Sequence, residues 1–344
     1  MQITTVTCVK NEGPFLLEWL AFHRVIGVSH FLIYSNDCTD GTDRLLNCLN
    51  GHGIVTHLPN PATGRAYQMQ ALKAARQHAC VKSADWVWIA DVDEFLNIHV
   101  GNHRIPDLIT ACGDPQAISL NFQFMANGGV DWFEDKPVIE QFLQTHNPDI
   151  WAAQTAIEVK TLVRSDFPLA YFGAHRPFHD KTRSSPAWTD GSGRRVPENY
   201  RNRLLKRRIR AFPARGSRRF ATLNHYALRS RESFLVKQDR GDVNRERRAF
   251  DVEYWRDRND TAHRDTSILR YRKPLLAEME RLKALEGVAA LHQQSVEQHK
   301  ALCSTLMKDT QTRAAAEALA SAPAFSAREQ EIRSLIGLAE DQAL

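Results

Sequence analysis

The stretch Asp85-Trp86-Val87-Trp88-Ile89-Ala90-Asp91-Val92-Asp93-Glu94 joins an apolar run to three carboxylates. An apolar run of this kind is typical of a strand buried on both faces of a parallel sheet. Ligands of open α/β sheets bind beyond the carboxyl ends of the strands, which is where these acids would lie. Clustered like charges raise each other's pKa, so a divalent cation, Mg²⁺ or Mn²⁺, is the expected partner. We expect Asp91 and Asp93 to point to one side of an extended chain; a solvated turn with helix-capping aspartates is the alternative.

Strand and helix patterns alternate on both sides of this stretch. Apolar or β-branched runs predict strands over 3–9, 30–35, 53–57, 85–90 and 117–125. Residues 14–26, 44–50 and 67–80 carry helical patterns. Such alternation is typical of a doubly wound α/β sheet. After Gly128-Gly129 the pattern changes to short strand candidates at 156–164 and 170–174, a late strand at 220–226 that would return to the sheet, and helices over 229–300.

Composition excludes several protein classes. The chain has 344 residues, of which 43% are hydrophobic and 25% charged, as in ordinary globular proteins. No run approaches the roughly 18 apolar residues of a membrane span, and no leader pattern follows Met1, so we expect a cytoplasmic protein. The six cysteines form no C-x-x-C pair, which argues against a zinc ribbon. In a chain of this size with no visible export signal, we expect the thiols to be reduced.

Positive charge is concentrated in one segment. The net charge is +5, yet residues 194–219 alone hold eleven Lys or Arg and a single acid. This basic segment predicts a surface that meets an anionic partner, such as an acidic polysaccharide, a lipid phosphate or the inner face of a membrane. A merely solvated loop is the alternative.

Several motifs occur together and in order over residues 3 to about 241. The chain resembles the family 2-type glycosyltransferases of the GT-A fold, in a bacterial branch; the eukaryotic family 92 group shares the same logic. The matching residues are Val9-Lys10-Asn11-Glu12, Glu18-Trp19-Leu20, His23, Gly27-Val28, 34–42, 68–72, 91–95, Asn224-His225-Tyr226, Arg229-Ser230, Lys237 and Arg240-Gly241.

The resemblance implies a nucleotide-sugar donor, a UDP- or GDP-sugar, and transfer of the sugar with inversion to an acceptor hydroxyl. It implies a GT-A type, mostly parallel mixed sheet over 1–241, with the donor half at 1–125 and the acceptor side at 126–241, followed by a helical extension at 242–344. The acceptor would be a surface polysaccharide or a lipid-linked glycan, with peripheral contact at the inner membrane face and no nucleic acid.

The resemblance also assigns roles to individual residues. Base and ribose would be contacted by Val9, Asn11 and Glu12, the nucleotide by Asp40, ribose or metal by Asp91, and the metal by Asp93 and His225. Asn11 and Glu12 could equally form a capped turn before Pro14, and the composition around Asp40 also favours turns and helix caps.

Other assignments rest on weaker signals. Arg65 is a candidate for the pyrophosphate, where leaving-group charge develops, and Lys73 is a similar candidate. A carboxylate must accept the proton of the attacking hydroxyl; Asp131 and Glu140 are the candidates, and the sequence does not decide between them. His175 and His179 form an alternative metal pair, although Pro177 argues against a helix there.

Two other functions remain open from the sequence. A nucleotidyltransferase can use a similar sheet and paired aspartates, but it normally carries a glycine-rich basic loop after the first strand, where this chain has V-K-N-E-G-P. A non-catalytic anion- or nucleic-acid-binding protein could use the basic segment. That interpretation leaves the D-V-D-E motif unexplained, and it predicts binding that survives chelation but falls steeply with salt.

Overall fold

The structure is a computed structural model that describes residues 1–64, 66–146, 158–179, 185–197, 200, 215–241 and 250–322. Arg65 and most of the basic segment lie outside the described residues. Among the described residues, no helix is both long and apolar enough to cross a membrane.

Thirteen strands are present in the described part of the chain. They are β1 (Ile3–Val9), β2 (His30–Ser35), β3 (Thr56–Pro59), β4 (Trp86–Ile89), β5 (Glu94–Ile98), β6 (Ala117–Phe124), β7 (Gln144–Thr145), β8 (Val159–Arg164), β9 (Leu169–Phe172), β10 (Pro177–His179), β11 (Trp188–Asp190), β12 (Ala221–His225) and β13 (His263–Arg264).

The described helices lie mainly between the first strands and after the last one of the sheet. They are α1 (Gly13–Val25), α2 (Thr42–Gly51), α3 (Tyr67–Ala75), α4 (Ala79–Lys82), α5 (Ile105–Ala111), α6 (Val138–Gln141), α7 (Arg231–Arg240), α8 (Val252–Arg256), α9 (Arg272–Lys283), α10 (Val288–Leu306) and α11 (Thr310–Ala320). A 3₁₀-helix, Ser267–Tyr271, leads into α9.

One sheet of nine described strands organises the molecule. Its order is β3-β2-β1-β4-β8-β6-β12-β5, with β11 paired to β6. The pairs β1–β2, β2–β3, β1–β4, β6–β12 and β6–β11 are parallel, whereas β8 runs antiparallel to both of its neighbours and β5 runs antiparallel to β12. The predicted fold class, α/β with a mostly parallel mixed sheet, is confirmed. The late strand predicted at 220–226 does return to the sheet, as β12.

Apolar residues cover both faces of this sheet. On one face α1 contributes Trp19, Leu20 and Phe22, all fully buried, to the larger hydrophobic cluster. On the other face α3 contributes Leu72, which packs in a second cluster with Val87 of β4. Helices α9 and α10 pack on α1, so the chain after 250 supports the sheet from outside.

The structure corrects four local predictions. The helix predicted over 67–80 is two helices, because His78 is extended and its side chain accepts a hydrogen bond from the Cys80 N–H as the cap of α4. The strand predicted at 53–57 lies at Thr56–Pro59. Strand β5 was not predicted at all. The residues between β4 and β5 form a turn rather than an extended D-x-D.

Candidate active site

A polar pocket of about 150 Å³ opens where β1, β4 and β12 end and β8 begins. Parallel strands bring their carboxyl ends to one edge, and the reversed direction of β8 brings its first residues to the same edge. The lining residues that carry charge or an imidazole are Lys10, Glu12, Asp91, Asp93, Glu94, Glu158, Lys160, His175, His225, Lys237, Arg240 and Arg258.

Lys160 forms the floor of the pocket. Its side chain is 1% exposed, and its Nζ lies 2.9 Å from Asp91 Oδ2 and 3.4 Å from Glu94 Oε1. Burial acts to lower the pKa of Lys160, but Asp91 and Glu94 raise it overall, so the ammonium stays charged. Burial raises the pKa of Glu94 well above its ordinary value, against the effect of Lys160. Lys160 therefore pairs most closely with Asp91, and Glu94 is held in its protonated form.

Asp91 is tied into this floor by two further bonds. Gln68 Nε2 donates to Asp91 Oδ1 at 3.3 Å, and the Asp91 N–H donates to Glu94 Oε2 at 3.0 Å. Because residues 91–93 form the turn between β4 and β5, Asp91 and Asp93 bind different partners. The expectation of an extended strand at these two aspartates is wrong, although both side chains line the same pocket.

Asp93 faces a lysine and a histidine. Lys237 Nζ, from α7, lies 3.0 Å from Asp93 Oδ2, and His225 Nε2, at the end of β12, lies 3.4 Å from Oδ1. Burial acts to raise the pKa of Asp93, but Lys237 and His225 hold it well below its ordinary value. Burial lowers the pKa of His225 despite the adjacent carboxylate, so the imidazole is neutral. An ionised carboxylate thus faces a neutral imidazole, the protonation states that metal binding requires.

Oxygen and nitrogen ligand atoms of Asp93, Glu94 and His225 all lie within 4.8 Å of one another. Nδ1 of His225 is buried and has no hydrogen-bond partner among the described residues. Carboxylate oxygens suit Mn²⁺ and Mg²⁺, and an imidazole nitrogen is a ligand for first-row transition metals, which favours Mn²⁺ of the two. The residues present therefore fit a divalent cation, with Glu94 in this cluster where Asp91 was predicted.

Glu12 joins the loop after β1 to the segment after β12. Arg229 Nη1 lies 2.9 Å from Glu12 Oε2, and Arg240 Nη1 lies 2.5 Å from Oε1. Arg240 also donates to the carbonyls of Lys10 at 2.7 Å and of Asn11 at 3.3 Å. Although burial acts to raise it, the two guanidiniums lower the pKa of Glu12. Glu12 lines the pocket as an ion-paired carboxylate that fixes its rim.

The other residues that were predicted to bind the nucleotide have structural roles in the core or in loops. Val9 is 2% exposed and packs in the core. The side chain of Asn11 exchanges hydrogen bonds with Thr39, at 3.0 and 2.8 Å. Asp40 accepts from the N–H groups of Gly13 at 3.0 Å and Thr42 at 2.9 Å. None of these three side chains lines the pocket.

The two predicted catalytic carboxylates lie outside the pocket. Asp131 Oδ1 pairs with Arg231 at 2.9 Å, and Glu140 Oε2 pairs with Arg272 at 2.9 Å. The pocket instead contains Glu158, directly before β8, which has no ion pair with any described residue. His175 also lines the pocket, where burial lowers its pKa to about 4.

Sequence reasoning assigned no role to Lys160, Glu158 or Arg258. The sequence does contain a pattern that could have identified Lys160. Lys160 lies in the strand V-K-T-L-V-R, whose first five residues are buried, and a buried lysine is rare unless it is paired. Glu158 and Arg258 lie in no motif, and only the fold brings them to the pocket.

Comparison with known proteins identifies the group to which this chain is related. A family model described as glycosyltransferase family 92 matches residues 4–203, more than half of the chain. The chain belongs to glycosyltransferase family 92. The predicted membership in a glycosyltransferase family is thereby confirmed. The matching family is the one that sequence reasoning named as the related eukaryotic group, and the bacterial family 2-type branch stays a prediction.

Family 92 proteins of plants are among the relatives. One from Oryza sativa subsp. japonica is 32% identical over 107 residues, which cover 30% of this chain and 17% of that protein. One from Ricinus communis is 30% identical over 98 residues, 28% of this chain and 17% of that protein. The aligned part of the family 92 chain thus spans about one sixth of the length of these relatives.

Solved structures give weaker similarity. S. aureus TarS 1–349 aligns with a TM-score of 0.35 and 8% identity, over 90% of this chain and 92% of that chain. HddC from Yersinia pseudotuberculosis aligns with a TM-score of 0.31 and 10% identity, over 54% of this chain and 88% of that chain.

Proposed function

We propose that this family 92 chain transfers a sugar from a nucleotide-sugar donor to an acceptor hydroxyl, and that the polar pocket binds the donor. The observation that carries the proposal is the placing of Asp93, Glu94 and His225 beside Lys160, Lys237 and Arg240 in one pocket. A nucleoside diphosphate carries several negative charges and therefore needs cations on more than one side. Residues from β8 and α7 bring such cations to the acidic turn.

The divalent cation, Mn²⁺ or Mg²⁺, would be held by Asp93 and His225, and Glu94 would become the third ligand by releasing its proton when the cation binds. When bound, it would stabilise the negative charge that develops on the leaving diphosphate. The chain's own lysines act in the same direction. Lys237 Nζ lies 3.0 Å from Asp93. It is therefore close to the place where a diphosphate bound to the cation would lie.

The proton of the acceptor hydroxyl goes to Glu158 in this proposal. Among the described residues that line the pocket, it is the carboxylate without an ion pair. In-line attack by the acceptor oxygen at the anomeric carbon, with Glu158 accepting the proton, would invert the configuration. Asp131 and Glu140, each paired with an arginine outside the pocket, are not needed for this step.

The donor is proposed to be a UDP- or GDP-sugar. The acceptor is proposed to be a growing surface polysaccharide or a lipid-linked glycan, with the protein in the cytoplasm and in peripheral contact with the inner face of the membrane. The basic segment supports an anionic partner of this kind by its charge alone, since its central residues lie outside the described part of the chain.

Nucleotide binding tests the donor site. UDP, GDP, CDP and ADP are titrated calorimetrically into the wild type, Asp93→Ala and Asp131→Ala, with and without Mn²⁺. We expect one nucleotide to bind the wild type only with Mn²⁺, and Asp93→Ala to lose that binding. Asp131→Ala removes a carboxylate outside the pocket and should bind as the wild type does. The donor-site assignment fails if no nucleotide binds the folded wild type, or if Asp93→Ala binds normally.

Turnover tests the proposed base. Glu158→Gln removes the carboxylate that would take up the proton and keeps the size of the side chain. We expect the rate of transfer, or of donor hydrolysis if no acceptor is supplied, to fall about 10²- to 10⁴-fold. Nucleotide affinity should stay unchanged. Glu140→Gln is the control, and equal losses in the two variants would contradict the role of Glu158.

A further inference from the structure

A second cavity, of about 370 Å³, lies between α3 and the hairpin formed by β9 and β10. A volume of this size is within the range of small-ligand sites. Residues 69, 72, 73, 76 and 77 recur at helical spacing and so present one face of α3 and its end to the cavity. The lining residues are Met69, Gln70, Leu72, Lys73, Arg76, Gln77, Tyr171 and Phe172.

An aromatic surface forms one wall of this cavity. The rings of Tyr171 and Phe178 are stacked, with centroids 4.4 Å apart and an interplanar angle of 15°. Tyr171 is 38% exposed and Met69 is 43% exposed. Large apolar side chains that remain exposed around a concavity mark binding sites. The C–H face of a pyranose ring is apolar and weakly electropositive, so it matches the electron-rich face of a tyrosine ring.

Polar groups surround the aromatic wall. Arg76 donates to the carbonyls of Leu169 and Ala170, which ties the hairpin to α3 and makes the cavity a built feature. Lys73 is exposed, and no carboxylate of the described residues lies within ion-pair distance of it. The amides of Gln70 and Gln77 supply both donors and acceptors. An apolar platform with amides and one available ammonium suits a saccharide that carries hydroxyls and an acidic group.

The second cavity lies next to the pocket proposed for the donor. Gln68, whose Nε2 reaches Asp91, directly precedes Met69 on α3. His175, in the turn of the hairpin, lines the donor pocket, and its Nδ1 lies 3.1 Å from the Val159 carbonyl oxygen. His175 follows Tyr171 by four positions in the chain, which is at most about 13 Å of extended chain. An oligosaccharide can therefore span the two sites.

We propose that this second cavity binds the acceptor: a sugar unit stacks on Tyr171, and Lys73 pairs with a carboxylate of an acidic saccharide. The proposal rests on the proposed function, because it takes the pocket at Asp93 as the donor site. The unit that stacks on Tyr171 would lie one or more units away from the hydroxyl that receives the sugar. The substrate class that follows is an acidic glycan, recognised along its chain and not at the reacting end alone.

Saccharide binding without nucleotide tests the proposal. Cellobiose, lactose and maltose, each with its uronic acid analogue, are added to the full chain, and saturation transfer to the sugar protons is measured by NMR. We expect the wild type to bind at least one uronate more tightly than its neutral counterpart. Tyr171→Ala should weaken that binding about tenfold or more, a change of about 1.4 kcal/mol. Lys73→Gln should remove the preference for the uronate.

Three controls keep the outcomes distinct. Trp132→Ala removes an aromatic side chain that is 64% exposed and lines neither cavity, so it should bind as the wild type does. Tyr171→Phe preserves the ring stack and should retain binding even if Tyr171→Ala folds poorly. Mn²⁺-dependent nucleotide binding should be unchanged in every variant, so that a failure here differs from a failure of the donor site. The proposal is overturned if no saccharide of the panel binds the wild type, or if Tyr171→Ala binds like the wild type.

Discussion

Two lysines decide the electrostatics of the acidic turn. Lys160 pairs with Asp91 and Lys237 pairs with Asp93, at 2.9 and 3.0 Å. A buried carboxylate without a partner carries a large desolvation cost, so the pair with Lys237 permits Asp93 to be ionised in a narrow pocket. Lys237 also donates to the Ala227 carbonyl at 2.9 Å, which fixes its position. The two lysines therefore reduce the repulsion between the carboxylates of the turn before any metal ion binds.

Lys237 and a metal ion would compete for Asp93. In Lys237→Met the carboxylate loses its ammonium partner but keeps His225. We expect the affinity for Mn²⁺ alone to rise about tenfold, equivalent to about 1.4 kcal/mol, while nucleotide affinity in the presence of Mn²⁺ falls. Calorimetric titration of each variant measures both. Lys308→Met, at an exposed site, is the control, and weaker Mn²⁺ binding by Lys237→Met would contradict the competition.

The acidic residues of the turn could be predicted from sequence because they follow a strand that is apolar throughout. Their partners could not be. His225 was proposed only from the resemblance, and Lys160 depends on the antiparallel direction of β8, which composition does not encode. Asp131 and Glu140 follow the glycine turn at which the acceptor side was predicted to begin. In the structure, arginines distant in sequence pair with them outside the pocket.

At the scale of elements, sequence patterns predicted the first half of the sheet well. Strands β1, β2, β4 and β6 and helices α1 and α2 lie within a few residues of their predicted positions. The strands are rich in apolar and β-branched residues, and the helices have apolar residues at helical spacing. Strand β5 was missed since the preceding turn contains neither glycine nor proline. The division at residues 241 and 242 stays a prediction.

The start of α1 approaches α10 closely. A Cβ on Gly13 would lie 2.6 Å from Cβ of Ser295, so one helix or the other must move. We expect Gly13→Ala to lower the free energy of unfolding by about 1–3 kcal/mol. Gly51→Ala, at the end of α2 with open space around its Cβ position, should be neutral or stabilising by up to about 1 kcal/mol. Urea unfolding of both variants measures this, and equal effects would contradict the close packing.

At the scale of the whole molecule, buried histidines set the acid limit of stability. Burial lowers the pKa of His23, His99, His175 and His299 to about 4. In the unfolded chain these four histidines take up a proton near pH 6.5. Their contribution to the free energy of unfolding is therefore fully present above pH 6.5 and is lost as the pH falls toward 4. Burial raises the pKa of Glu18 to about 7, which acts in the opposite direction, since it favours the folded state toward lower pH. Glu94, whose pKa burial also raises, acts in the same direction as Glu18, so two acids oppose the four histidines.

Substitution of His23 tests the contribution of one buried histidine to the pH dependence of stability. Its Nδ1 lies 2.8 Å from the Trp19 carbonyl oxygen, and glutamine can supply the same donor. Between pH 7 and pH 5 we expect the free energy of unfolding of the wild type to fall by about 2 kcal/mol more than that of His23→Gln. His30→Gln, at an exposed site, should keep the slope of the wild type. Denaturant titrations at both pH values measure the difference, and parallel slopes for the wild type and His23→Gln would count against a neutral buried imidazole.

The position of β12 between β6 and β5 has a consequence for synthesis. Among the described strands, β5 pairs only with β12, so it leaves the ribosome long before its partner has been made. At about 5–20 residues per second, that interval is on the order of ten seconds. Throughout it, the edge of β6 and the whole of β5 are open to wrong partners. A nascent chain of this protein should therefore depend on chaperone protection until His225 has emerged, and a truncation before β12 should aggregate.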